Sequence, residues 1–143
     1  MNERRREIDV VLKTMCVPLL RELGFKGSFP HFHRSVGAHV DLLTFQFRLD
    51  GSSFIVEISY ADAARKNVYF RPETSVAKLR ASATTKRHRL GKQTESGGDG
   101  RWFGLDHGLM TAQASHFKKL ALQVNDLVVR EATQWWEAQR HVA

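Results

Sequence analysis

The stretch AHVDLLTFQFRLDGSSFIVEISYA, residues 38–61, constrains the fold more than any other. Asp50-Gly51 is a strong two-residue hairpin signal, because a tight turn between strands needs residues that tolerate positive φ. Pairing the flanks around it sets Phe47 against Phe54, Phe45 against Val56 and Leu43 against Ile58. Every one of these is apolar and all share one face, whereas a one-residue slip would turn them all to the other face. The register predicts two antiparallel strands, 38–48 and 53–61, with one face for a core.

An earlier strand, 29–35, extends the meander. With Val36-Gly37 as its loop, Phe32 faces Asp41, Arg34 faces His39, and His31 and His33 point away from Phe32 beside Val40 and Leu42. The three histidines of HFHRSVGAH therefore divide between two faces, with His39 on the Phe32 side. Zinc needs three or four ligands. The nearest carboxylate on the His31 face, Glu57, is two strands and a diagonal step away, roughly 10 Å. No metal is expected. That same face carries Thr44, Gln46, Arg48, Glu57 and Ser59. A central-strand Gln46 among such neighbours could form a small binding surface. A solvated outer face, common in antiparallel sheets, is the simpler expectation.

Residues 3–23 repeat apolar side chains at helical spacing: Ile8, Val11, Leu12, Met15, Leu19 and Leu23. Arg4, Arg5 and Arg6 oppose the helix dipole and predict a frayed first turn. Pro18 predicts a break near Cys16, and Gly24 a left-handed C-cap. Residues 73–83 have the pattern of a short helix, Thr85–Leu90 of a strand, 91–100 of a flexible loop and 101–105, RWFGL, of a short strand or anchor. Met110, Ala114, Phe117, Ala121, Val124, Val128 and Trp135 then trace one helical stripe. A straight helix over 110–140 would be about 45 Å long, so it must break or project. Trp135 and Trp136 are read as core, with an oligomer contact as the alternative. The fold class is α+β: an antiparallel meander of four to five strands against an N-terminal helix and a long C-terminal helix, in a single domain over 1–143.

The charge is uneven. Residues 62–101 hold ten basic and four acidic residues and so supply six of the seven net positive charges. They read as a basic, flexible excursion. Lys78, Arg80, Lys86, Arg87, Arg89 and Lys92 lie within it with no acid between them, a candidate polyanion contact. No run of apolar residues is long enough for a membrane span, and the arginine-rich start lacks the apolar core of a secretory signal. A lone cysteine with no partner fits a reducing cytoplasm. Phosphate loops, a GxSxG elbow and HExxH are absent. Cys16 has no local activating base, and Asp106-His107 reads as a helix N-terminal turn. No catalytic residue and no cofactor is singled out.

In order, PLLRELGFKG, FHR, LLTFQF, SSFIVEISY, RHRLG and RWFGLD resemble the DUF4304 family of small bacterial proteins, over about residues 18–106. The resemblance implies a helix with an antiparallel sheet and no particular reaction. It also implies preferred positions at Gln46, Arg89 and Trp102–Phe103, with Phe103 departing from a commoner second Trp. Three functions are compatible with these features. The first is a binding or interaction module, acting on a protein partner, with Gln46, His31, Glu57, Arg89 and Trp102 as its candidate face. The second is weak, salt-sensitive nucleic-acid binding through 78–92, where stacking aromatics only flank the run. The third is an enzyme whose site assembles in space on the His31–Gln46–Glu57 face.

Overall fold

The computed structural model describes residues 2–71, 73–75, 78–91 and 101–142. The first helical pattern divides into α1 (Glu3–Met15) and α2 (Val17–Glu22), broken at Cys16 because Pro18 opens the second helix. The Gly24 N–H donates to Arg21 O and the Phe25 N–H to Leu20 O, with Gly24 at φ +96°. This is a Schellman cap, and it turns buried Phe25 back toward the core. The start of α1 is helical from Glu3 and capped. The Asn2 side chain accepts the Arg5 N–H at 2.7 Å, and the Arg5 guanidinium bonds Asp9 and lies 3.5 Å over the Phe47 ring.

Six strands are present among the described residues: β1 (Lys26–Ser28), β2 (His31–Val36), β3 (His39–Phe47), β4 (Ser53–Asp62), β5 (Lys86–Arg89) and β6 (Phe103–Gly104). The order is β1-β2-β3-β4-β5, antiparallel, and β6 pairs the start of β4. The β3–β4 register is the expected one, with Phe47 opposite Phe54, Phe45 opposite Val56 and Leu43 opposite Ile58. The β2–β3 register is not. Its loop is Gly37-Ala38, so Phe32 faces Leu43 and Arg34 faces Asp41. Gly37 takes φ +61° at the first loop position, as a type II′ turn demands. The shift is two residues, so each side chain keeps its face. It also brings Arg34 onto Asp41, bonded through Nε at 3.0 Å and a terminal nitrogen at 2.7 Å. The added strand β1 has no apolar alternation to announce it.

Phe32, Leu43, Phe45, Phe54, Val56 and Ile58 form one wall of the main core, closed by Ile8, Leu12 and the C-terminal helix. That helix comprises α4 (Gln113–Leu127), a π-helical turn (Val128–Ala132) and α5 (Thr133–Val142). The Thr133 N–H donates to Val128 O, five residues back. The extra residue rotates the helix beyond it. The buried stripe runs Phe117, Ala121, Val124 and Val128, then Ala132 and Trp136. Trp136 is fully buried against Phe25 and donates its Nε1–H to Ser59 O at 3.0 Å. Trp135 is only half-buried and stacks on His88. Met110, assigned to the stripe, is instead exposed.

The opposite face of the sheet is not a uniformly solvated surface. Phe70, Leu79 and Ala81 cover Val40, Leu42 and Ala61 in a second, smaller core. Short helical turns, Ala63–Arg65, α3 (Lys66–Tyr69) and Ala81–Ala83, carry this layer. Of the short helix expected over 73–83, the described residues show helical turns at Lys78 and at Ala81–Ala83. β4 consequently lies between two apolar layers and is buried from Ser53 to Ala61. The loop expected over 91–100 falls, beyond Gly91, outside the described residues. None of the described helices is long and apolar enough to cross a membrane.

Candidate functional site

The second layer covers only part of the far face. Where it stops, the shifted β2–β3 register draws four polar residues into one cross-strand row: His31 opposite Thr44, Thr44 opposite Glu57, and Glu57 opposite Arg89. The diagonal step foreseen between His31 and Glu57 is absent, but they remain two strands, roughly 10 Å, apart. Among the described residues no three His, Cys, Asp or Glu side chains converge as metal ligands would.

His31, Thr44, Gln46 and Glu57 line a cleft of about 350 Å³, with Arg5 and Ser82 at its margin. An adjoining cleft of about 610 Å³ shares Pro30 and His31 and is bounded by His33, Lys78 and Arg80. His31 Nδ1 and Thr44 Oγ1 are hydrogen-bonded at 3.0 Å. Burial lowers the His31 pKa from 6.5, and the nearby Arg80 charge lowers it further. The imidazole is therefore neutral at pH 7, able both to give and to take a hydrogen bond.

Glu57 is the floor of the site and only 5% exposed. Two guanidiniums stand over it, Arg89 Nε at 3.6 Å from one oxygen and Arg87 at 3.9 Å from the other. Both separations keep the charge paired but exceed hydrogen-bond reach. The carboxylate thus retains acceptor capacity toward the cleft. At the far end Arg48 lies 4.3 Å over the half-buried Trp102 ring, with Arg89 at 6.0 Å from the same ring. Cation–π contact helps hold the Arg48 guanidinium against that ring.

Of the residues singled out from sequence, Gln46, His31 and Glu57 share the cleft, Arg89 joins through Glu57, and Trp102 through Arg89 and Arg48. The basic run divides. Lys78 and Arg80 border the adjoining cleft, Arg87 and Arg89 flank Glu57, and Lys86 pairs with Tyr60 on the other face. Lys92 lies outside the described residues. Arg5 and Ser82 were not foreseen as part of the site. Arg5 belongs to a helix that reads as a plain amphipathic element, and no local pattern links it to Gln46.

DUF4304, a domain of unknown function, matches residues 16–138. The chain belongs to this family. No curated protein and no solved structure matches it. The DUF4304 match takes in every cleft residue named above except Arg5. It continues past Asp106, where the short sequence motifs end, through the π-turn to Trp136.

Proposed function

We propose that this DUF4304 protein is a binding module that takes an anionic ligand in the cleft beside Glu57. The carrying observation is charge placement among the described residues: Arg5 lines the cleft beside Glu57, Arg80 lines the adjoining cleft, and Arg87 and Arg89 pair with Glu57 from the neighbouring strand. A cationic rim over a partly desolvated floor concentrates anions and strengthens their contacts. A protein partner, the first expectation from sequence, has less support. Of the aromatic pair that suggested an interface, Trp136 is taken up by the core, and half-buried Trp135 is stacked on His88. A bacterial cytoplasm is part of the same proposal, with the buried, unpaired Cys16 in keeping with it.

A second reading has its own observation. Lys78, Arg80, Arg87 and Arg89 share the face, so a longer polyanion would touch several in succession. Fluorescence anisotropy with labelled single- and double-stranded oligonucleotides, alongside calorimetry with nucleoside monophosphates and inorganic phosphate, tests both readings. Binding that weakens steeply with salt and is lost in an Arg80→Glu, Arg87→Glu double variant is the expected result. Affinity that climbs with oligonucleotide length favours the second reading. Absence of binding to every probe at low salt, with the fold intact, refutes both.

A further inference from the structure

The proposed ligand site has a feature that a simple anion would not use. A phosphate needs donors, and the rim supplies them. Glu57, by contrast, can only accept when ionised. It lines the cleft with little exposure, and its guanidinium partners stand at 3.6 and 3.9 Å, ion-paired but beyond hydrogen-bond reach. A donor entering the cleft can therefore still bond its oxygens. The occupant that answers both features carries negative charge at one end and a pair of adjacent N–H donors at the other.

Resting on the anion-binding reading, we propose that the cleft binds a guanine nucleotide, free or as the end of a single strand, with Glu57 as the residue that selects the base. Among neutral nucleobases, guanine alone presents two neighbouring donors, the ring N–H and the exocyclic amine, on its pairing edge. Those two match the two oxygens of a carboxylate. Adenine and cytosine offer one amine beside an acceptor, and uracil one ring N–H between two carbonyls; each would set an acceptor against Glu57. Thr44 and Gln46 flank Glu57 in the same cleft and supply polar groups for the guanine carbonyl and the sugar. The phosphate falls to the rim, where Arg80 and Arg87 stand. At about 350 Å³ the cleft lies within the range of small-ligand sites.

The test is calorimetric titration of the full chain with guanosine, inosine and adenosine monophosphates and with inorganic phosphate, at one low salt concentration. Inosine keeps the ring N–H and lacks the exocyclic amine. Losing one hydrogen bond to a charged acceptor weakens binding about tenfold or more, so guanosine monophosphate should exceed inosine monophosphate by that factor and adenosine monophosphate by more. Glu57→Gln should erase the preference, because its amide offers one acceptor and one donor, while phosphate binding persists or strengthens, since the negative charge beside Arg87 and Arg89 is gone. Gln46→Ala, at an exposed position, should weaken the guanine nucleotide without disturbing the fold. Equal affinity for all three nucleotides, or a guanine preference that survives Glu57→Gln, overturns the guanine assignment while the anion site stands. Failure of every probe, inorganic phosphate included, overturns both.

Discussion

The π-turn makes a prediction that separates two adjacent tryptophans. An uninterrupted α-helix carries the stripe of Phe117, Ala121, Val124 and Val128 on to Trp135. The inserted residue hands that role to Trp136, which is 0% exposed, 5.0 Å from the Phe25 ring centroid and bonded to Ser59 O at 3.0 Å. Trp136→Ala therefore removes a fully buried aromatic, a change that costs about 3–5 kcal/mol from lost burial and cavity formation. Against a total stability of about 5–15 kcal/mol the variant is marginal. Trp136→Phe is the measurable companion. It loses the Nε1–H donor to a carbonyl that the β3–β4 ladder still engages, and should cost about 0.5–1.5 kcal/mol. Trp135→Ala removes a half-buried ring stacked on His88 and should cost less than Trp136→Ala, about 1–2 kcal/mol from partial burial and one aromatic contact. Equilibrium urea unfolding followed by far-UV circular dichroism, which does not rely on the altered fluorophore, gives the three values. A Trp135→Ala penalty equal to or above that of Trp136→Ala would mean that the helix is regular through 128–132, and the account of the stripe would fall.

Asp41 is fully buried beneath Arg34 and Arg140, so Asp41→Asn leaves two guanidiniums facing a neutral amide. The expected loss is about 3–5 kcal/mol, and a urea midpoint shift worth less than about 1 kcal/mol would show the pairs to be solvated. Cys16 sits between helices with its thiol pushed up to about 12 by burial. Native protein should ignore a thiol-labelling reagent that modifies the urea-unfolded chain completely, and fast native labelling would contradict the burial. His31 has its pKa held below 6.5 by burial and Arg80, so the unfolded chain takes up this proton first as pH falls. Its contribution is whole above about pH 6.5 and is lost as pH drops through the native value. Urea midpoints across that range should fall less for His31→Gln than for the parent, and parallel profiles would refute the assignment.

Much of the frame was legible in sequence because it is written in local chemistry. Pro18 and Gly24 ended helices where their backbone limits require it. The apolar alternation around Asp50-Gly51 set the β3–β4 register, since a one-residue slip would expose Phe45, Phe47, Phe54 and Val56 together, although the loop itself is four residues, 49–52, rather than the two-residue turn expected. The β2–β3 loop was less constrained. Val36-Gly37 and Gly37-Ala38 both offer a glycine and keep every residue on its face, so hydrophobic pattern could not choose between them. The choice turned on the type II′ geometry and on Arg34 meeting Asp41. With it came the straight row of His31, Thr44, Glu57 and Arg89.

The candidate site was visible only in fragments. Gln46, His31 and Glu57 could be assigned to one face from strand period alone. Arg5 and Ser82 join them through elements far apart in the chain, and no spacing rule connects such positions. The basic run looked like one feature because charge is counted along the chain, yet alternation on β5 sends Lys86 to one face and Arg87 and Arg89 to the other. The sequence by itself determined which residues seek a core, where helices and turns begin and end, and which strands are neighbours, because those depend on propensities and periods of a few residues. The tertiary structure alone decided that a second layer covers part of the far face, that a π-turn exchanges Trp135 for Trp136, and that Glu57 lies buried beneath cations. Each of these depends on packing between distant segments, whose energies no local pattern encodes.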